Sequence, residues 1–144
     1  MDARIRELLF QVNHHNDYME NLNLEVLDVN DGYAKGRIRV EDRFLNPGGT
    51  VHGGVLFSLA DIIAGTAACG TGFLVCTVSG NMNYLLPAVN TEYVTCEAKA
   101  QREGKNLAVY EIEIRDDAGK LIQTGTFTYF LTETRITDLI KGKE

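Results

Sequence analysis

The sequence predicts an α+β protein in which a long antiparallel sheet wraps around one central helix. Three observations support this prediction. Residues 55–68 form an almost wholly apolar helical stretch, six strand-like runs flank it, and turn-forming residues separate most of those runs. Because a helix that is apolar on nearly all sides has to be enclosed, we expect the sheet to curl round it.

The first predicted element is a short amphipathic helix at about residues 2–15, where apolar side chains recur at helical spacing. Residues 22–29 and 33–40 then alternate apolar and polar side chains on either side of an Asn-Asp-Gly turn. This pattern predicts an antiparallel hairpin. A polar, glycine-rich loop leads from the hairpin into the apolar helix.

Four further strands are predicted, at residues 73–84, 93–103, 107–115 and 121–131. Their short connections are rich in turn-forming residues, so we expect the four strands to be antiparallel neighbours in chain order. The charged tail, about residues 133–144, contains Ile136, Leu139 and Ile140, which indicate a short docked helix. We expect residues 1–144 to form a single domain.

The composition excludes several classes of function. A formal net charge of -6 disfavours nonspecific binding to nucleic acid or to an anionic membrane. No signal-peptide pattern opens the chain and no apolar run reaches the ~20 residues of a membrane span, so we expect a cytoplasmic protein. The adjacent His14 and His15 and the three scattered cysteines lack the spacing of metal ligands, and we expect neither a metal nor a cofactor.

Asp61 is the main candidate for a catalytic residue, because it places a carboxylate in the middle of the apolar helix. A side chain that resists burial needs either a hydrogen-bonding partner or a chemical task. The alternative to a task is an Asp that is hydrogen-bonded in the core or at a subunit contact.

A set of motifs resembles the hotdog-fold acyl-CoA thioesterases, and more narrowly their PaaI-like branch. The motifs are Asn46, the His52-Gly53-Gly54 run, Asp61 nine residues after His52, and the NYLLPA sequence at residues 83–88. The resemblance covers about residues 22–131, and the order of elements in the family agrees with the order predicted above.

The resemblance implies a role for each residue of a two-part site. The backbone N–H of Gly53, at a helix N-terminus, is the oxyanion donor, while Asn46 and His52 hold the thioester and shape the loop. Asp61 is the general base for water or a nucleophile that forms a transient anhydride. Thr77 lies where related enzymes carry the hydroxyl that orients the attacking water.

The strand around Thr77 is polar on one face if it alternates regularly. That face would carry Thr77, Ser79, Asn81 and Asn83. Ser79 could share the hydroxyl role, although many family members carry an acid there. Ser79 and Asn81 are therefore predicted substrate contacts.

The resemblance also implies the substrate, a CoA thioester with an aryl or medium-chain acyl group. Tyr84 and Pro87 would lie along the pantetheine, and Arg102, Lys105 and Asn106, at the tip of a hairpin, would contact CoA. Family members form dimers by joining sheets edge to edge, and often tetramers, with active sites between subunits. We therefore expect a homo-oligomer, in which a dimer pairs again into a tetramer built as a dimer of dimers.

Two alternative functions remain open from the sequence. One is a non-catalytic module that binds acyl-CoA. The other is a hotdog-fold hydratase or dehydratase, which expects a His about five residues after the Asp. The residue at that position is Thr66, and the apolar helix contains no His.

Overall fold

The computed structural model describes residues 1–139, which form a six-stranded antiparallel sheet packed against one long helix. The elements in chain order are α1 (Ala3–His14), α2 (Asp17–Asn21), β1 (Leu24–Asn30), β2 (Tyr33–Arg39), α3 (Gly53–Cys69), β3 (Phe73–Tyr84), β4 (Tyr93–Glu103), β5 (Leu107–Arg115) and β6 (Leu121–Arg135). Short 3₁₀ turns lie at Asp42–Phe44 and Ile136–Leu139.

Helix α3 contacts all six strands, as the apolar pattern of residues 55–68 predicts. It begins two residues earlier than predicted, at Gly53, because the His52 side chain accepts a hydrogen bond from the Gly54 N–H and caps the first turn. Its inward side is built largely from alanine and branched aliphatic side chains. The buried residues of α3 are Leu56, Leu59, Ala60, Ile63, Ala64, Thr66, Ala67 and Ala68.

The strand order is β1-β2-β4-β5-β6-β3, and every neighbouring pair is antiparallel. The predicted pairs β4–β5 and β5–β6 are confirmed, but the expected pairing of β3 with β4 is wrong. β3 lies at the sheet edge and pairs with β6.

The connection from β3 to β4, at residues 85–92, can extend to about 28 Å, whereas the three strand spacings between β3 and β4 are only about 14 Å. It is thus long enough to cross the sheet, and the Val51 N–H holds it by donating to the Ala88 carbonyl.

The two ends of the chain differ in detail from the prediction. After α1 the chain forms a second, unpredicted helical turn, α2, where the Asn16 side chain accepts from the Met19 N–H. β6 extends to Arg135, so the start of the predicted tail at 133–144 belongs to a strand. The predicted docked helix appears as the turn Ile136–Leu139, with Ile136 buried, and Ile140 lies outside the described residues.

Close packing between α3 and β2 depends on Gly36. A Cβ at this position would overlap the Ile63 side chain and lie 3.0 Å from the Glu25 carbonyl oxygen. We expect Gly36→Ala to lower the free energy of unfolding by about 1–3 kcal/mol, as overpacking does elsewhere. Urea denaturation would measure this loss.

Gly65→Ala is the matched control, because a Cβ there would lie 3.5 Å from the Tyr129 ring, at ordinary contact distance. Alanine also favours the helix by up to about 1 kcal/mol over glycine. We therefore expect this variant to be neutral or stabilised. Equal destabilisation of both variants would contradict the proposed tight contact at Gly36.

Candidate active site

The loop before α3 is held in place by Asn46. Its side-chain oxygen accepts from the N–H groups of Gly48 and Thr50 at 3.0 and 3.2 Å, and its amide nitrogen donates to Thr50 Oγ1 at 2.8 Å. These bonds use the amide oxygen and one of the two amide N–H donors, so the Asn46 side chain shapes the loop.

The N-terminus of α3 presents one free donor. His52 Nδ1 accepts from the Gly54 N–H at 2.9 Å, and the N–H groups of Val55 and Leu56 donate to the His52 carbonyl. The Gly53 N–H has no acceptor within residues 1–139. It is therefore available to an external oxygen, in the favourable field of the helix N-terminus.

Tyr84 and Pro87 lie beside this donor. The Tyr84 hydroxyl donates to the Gly53 carbonyl at 3.0 Å, and its ring is half exposed. Both residues line a cavity of about 280 Å³ together with Asn46 and Gly53. The structure thus brings four predicted residues together at the start of α3.

Asp61 is anchored by two hydroxyl groups. Thr77 Oγ1 donates to Asp61 Oδ1 at 2.9 Å. The Tyr129 hydroxyl lies 2.9 Å from the same Oδ1 and 2.7 Å from the Asp61 main-chain oxygen. Within the described residues, no group donates to Oδ2.

The prediction that Thr77 shares one polar face of β3 with Ser79, Asn81 and Asn83 is wrong for Thr77, because a β-bulge interrupts the alternation between Thr77 and Ser79. Thr77 pairs with Tyr129, which faces α3, whereas Ser79 pairs with Thr128 and Asn81 with Thr126. One extra residue in the strand moves the following side chains to the other face. Ser79, Asn81 and Asn83 therefore point away from α3, and Ser79 cannot share the Thr77 contact with Asp61 of its own chain.

A second cavity of about 280 Å³ lies next to Asp61, between α1, α2, α3 and β3. Its wall is mainly apolar and includes Leu9, Val12, Ile62, Leu74, Val75 and Leu139. Cys69 also lines it, but burial raises the pKa of that thiol to about 11. Cys69 therefore stays protonated at neutral pH and is a poor nucleophile.

The predicted CoA contacts at the β4–β5 hairpin form a third group. Lys105 and Asn106 line a groove of about 850 Å³ with Arg135, next to the acidic Glu103 and Glu133. Arg102 is exposed on β4 near the same hairpin but does not line the groove. The basic groups are therefore present, in a surface of mixed charge.

The two halves of the site do not meet within one chain. Gly53 and Asp61 are eight residues apart on α3, which corresponds to roughly 12 Å. They line separate cavities. A carbonyl carbon and its attacking water span a much shorter distance, so one chain cannot supply both groups to one thioester.

Sequence reasoning missed Tyr129, although a signal for it exists. The alternation along β6 places Tyr129 on the same face as Phe127, and a buried phenol normally needs a hydrogen-bond acceptor. The contribution of α1 and α2 to the cavity wall could not be found in this way, because it depends on how the N-terminal segment docks.

Neither a metal centre nor a membrane span is found in the described part of the chain. Between residues 1 and 139, no three side chains of His, Cys, Asp or Glu gather as metal ligands. No helix in this range has both the length and the apolarity needed to cross a bilayer.

A six-stranded antiparallel sheet packed against one long apolar helix is the hotdog fold of thioesterases. The sequence profile of the thioesterase superfamily matches residues 48–123. The chain belongs to this superfamily, as a PaaI-like enzyme with thioesterase activity.

Individual relatives agree with this assignment. Acyl-coenzyme A thioesterase PaaI of Escherichia coli is 29% identical over 101 residues, which are 70% of this chain and 72% of that protein. Human acyl-coenzyme A thioesterase 13 is 33% identical over 103 residues, which are 65% of this chain and 69% of the relative.

Solved structures support the fold. The E. coli PaaI structure superposes with a TM-score of 0.84 at 22% identity, covering 91% of this chain and 98% of the other, and at that identity it shows the fold alone. A Streptococcus mutans protein, solved bound to acetyl CoA, superposes with a TM-score of 0.75 at 26% identity, covering 78% and 91%.

The predicted oxyanion role of Gly53 can be tested by replacing its N–H with the ring nitrogen of proline. Proline is tolerated at the first position of a helix, and His52 already has the extended backbone, φ -59° and ψ 134°, that suits a residue before proline. We expect Gly53→Pro to lower kcat for thioester hydrolysis by about 10²- to 10³-fold, the usual loss for one oxyanion donor.

Gly53→Ala serves as the control, since it keeps the N–H but adds a Cβ at 3.2 Å from the Tyr84 ring, as proline also does. We expect this variant to retain most of its activity. If both variants lose activity equally, the loss comes from crowding at Tyr84 and not from the missing donor.

Proposed function

We propose that this protein hydrolyses an acyl-CoA thioester to a free acid and CoA, with Asp61 as general base or nucleophile and the Gly53 N–H as oxyanion donor. The names of the E. coli and human relatives support an acyl-CoA substrate. So does the acetyl CoA bound to the S. mutans protein.

The observation that carries this proposal is the position of Asp61. Its carboxylate is fixed through one oxygen on the wall of an apolar cavity, so the other oxygen is left for chemistry. An acyl chain that fills this cavity would leave its thioester carbonyl near that second oxygen. A purely structural Asp would have no need of the adjacent empty space.

Two routes fit this arrangement. In the first, a water O–H bond breaks, the proton passes to Asp61, and the oxygen bonds to the carbonyl carbon. The Gly53 N–H stabilises the oxyanion until the C–S bond breaks and the CoA thiolate leaves. In the second, Asp61 itself bonds to the carbonyl carbon, the thiolate leaves, and water cleaves the resulting anhydride.

The cavity volume bears on the acyl group. An engineered cavity of about 150 Å³ binds benzene. The cavity beside Asp61, at about 280 Å³, has room for one aromatic ring with a short linker or for a medium alkyl chain. We therefore propose an aryl or medium-chain acyl group.

The remaining predicted contacts belong to the CoA moiety. We propose that Tyr84 and Pro87 lie along the pantetheine, and that Arg102, Lys105 and Asn106 approach the phosphates, where positive charge offsets the acidic protein. Ser79 and Asn81 would contact only a ligand that reaches the outer face of the sheet.

The roughly 12 Å separation of Gly53 and Asp61 along α3 supports a homo-oligomer. We propose that each active site combines Asp61 of one subunit with Gly53 of another, with the dimer as the minimal unit and a dimer of dimers as the expected assembly. Two symmetric sites then arise from two α3 helices.

Steady-state hydrolysis of an acyl-CoA panel tests the activity. We expect phenylacetyl-, benzoyl- and octanoyl-CoA to exceed acetyl- and palmitoyl-CoA in kcat/KM. Asp61→Asn should lower kcat by about 10²- to 10⁴-fold, the usual contribution of a general base. The control is Glu111→Gln, at an exposed carboxylate on β5. A wild type that binds CoA but turns over no thioester would overturn the proposal.

Mixing two inactive variants tests the intersubunit site. In a dimer formed from equal amounts of Asp61→Asn and Gly53→Pro, half of the molecules are heterodimers, each with one intact site and one doubly altered site. Random pairing therefore predicts recovery of about a quarter of wild-type activity. Native mass spectrometry would verify the heterodimer, and its presence without recovered activity would place both groups in one chain.

A further inference from the structure

Tyr129 lies on β6 beneath α3 and is 1% exposed. Its ring is fixed on several sides: it stacks on Phe127 with ring centroids 6.5 Å apart, meets Tyr110 edge to face at 6.1 Å, and lies against α3 at Gly65. A ring packed in this way cannot move far from Asp61, so its hydroxyl has a defined position.

The Tyr129 hydroxyl has one proton but two acceptors within reach. Both belong to Asp61: the carboxylate oxygen Oδ1 at 2.9 Å and the main-chain oxygen at 2.7 Å. A main-chain carbonyl has two lone pairs, so it can accept from a phenol in addition to its helical partner. Rotation about the C–O bond of the phenol is enough to move the proton from one acceptor to the other.

We propose that Tyr129 is a positioning residue for Asp61, whose hydroxyl donates to Oδ1 while the carboxylate is ionised and turns to the main-chain oxygen when Asp61 is protonated. This inference rests on the proposed role of Asp61. It assigns Oδ2 as the reactive oxygen, because Thr77 and Tyr129 both occupy Oδ1.

The proton balance is simple on the general-base route. A water proton passes to Asp61 Oδ2, the water oxygen bonds to the substrate carbonyl carbon, and the carboxyl becomes neutral. Oδ1 is then a weaker acceptor, and the Tyr129 hydroxyl keeps a full hydrogen bond by turning to the main-chain oxygen. Without this second acceptor, the hydroxyl would keep only the weaker hydrogen bond to the neutral carboxyl when Asp61 is protonated.

The phenol remains a donor throughout the neutral range. Burial raises the pKa of Tyr129 well above its usual value, and the neighbouring Asp61 carboxylate raises it further. Tyr129 therefore does not ionise and is not itself a base.

Tyr110 provides a matched control. It is also fully buried, and its hydroxyl donates to a carboxylate, Glu103 Oε1, at 2.7 Å. It has no hydrogen bond to Asp61. Replacing either tyrosine by phenylalanine removes one buried hydrogen bond to a carboxylate, but only one of the two bonds involves the catalytic residue.

The test compares Tyr129→Phe with Tyr110→Phe in thermal stability, kcat and KM on the best acyl-CoA of the panel. We expect similar shifts in Tm for both. We expect kcat to fall about 10- to 100-fold in Tyr129→Phe alone, the range for one hydrogen bond to a charged group, with KM little changed. An unchanged kcat in Tyr129→Phe, or an equal fall in both variants, would overturn the inference.

A double-mutant cycle separates positioning from general loosening of the fold. If Tyr129 acts through Asp61, adding Tyr129→Phe to Asp61→Asn lowers the residual rate no further. A full additional loss would refute the inference. If Asp61→Asn is inactive while Tyr129→Phe has the wild-type kcat, only the proposed role of Tyr129 is refuted. A fully active Asp61→Asn would instead refute the proposed mechanism.

Should Tyr129→Phe not fold, 3-fluorotyrosine at position 129 keeps the ring and the hydroxyl but changes the acidity of the phenol. The proposal then requires a changed kcat for the substitution at 129 and an unchanged one for the same substitution at 110. The reverse result, or no change at either position, contradicts it.

Discussion

The packing of α3 against the sheet is the constraint on which the rest of the structure depends. A helix so apolar is stable in water only when it is covered, and a nearly flat sheet covers only one side, so the six strands have to curve. The close approach requires small side chains on the helix, such as Ala60 and Ala64, and a glycine at position 36 of β2. Both ends of the candidate site lie on this one helix, and its fixed position therefore sets the site geometry.

Enclosure of α3 also explains why Asp61 needs so many partners. A carboxylate on such a helix loses hydration, and hydrogen bonds to it compensate only when the donors come from elements that cannot move away. β3 supplies Thr77 and β6 supplies Tyr129, two paired strands at matching register. The two hydrogen bonds that compensate the half-buried Asp61 carboxylate both reach Oδ1, and they leave Oδ2 without a donor among residues 1–139.

The sequence predicts the bounds of the helices and strands better than it predicts how these elements are arranged in space. The bounds of β3, β4 and β5 agree with the expected ones because alternation and turn residues are local signals. The edge position of β3 was not predictable, since a loop of eight residues is compatible with either neighbour. No residue type in the sequence indicates the bulge at residue 78, yet this bulge places Thr77 and Ser79 on opposite faces of β3. Of the site, Asp61, Thr77 and the residues near Gly53 were named from the sequence, whereas the hydrogen bond between Thr77 and Asp61, the role of Tyr129 and the wall formed by α1 depend on tertiary packing.

The two edges of the sheet differ in a way that bears on assembly. β1 carries Glu25 and Asp28, and α1 packs beside it, with Arg6 Nε donating to the Val29 carbonyl at 3.0 Å. Charges and covering elements are the usual protection of an edge strand.

β3, at the other edge, spans Phe73–Tyr84 without a charged residue and exposes Val78. A long uncharged edge of this kind is expected to pair with another strand, and a second copy of the chain is the partner that a two-fold axis supplies. Because Thr77 lies on that same strand, an edge-to-edge dimer through β3 would bring the Asp61 end of one chain to the boundary with its partner. The uncharged β3 edge therefore supports the proposed intersubunit site independently of the separation between Gly53 and Asp61.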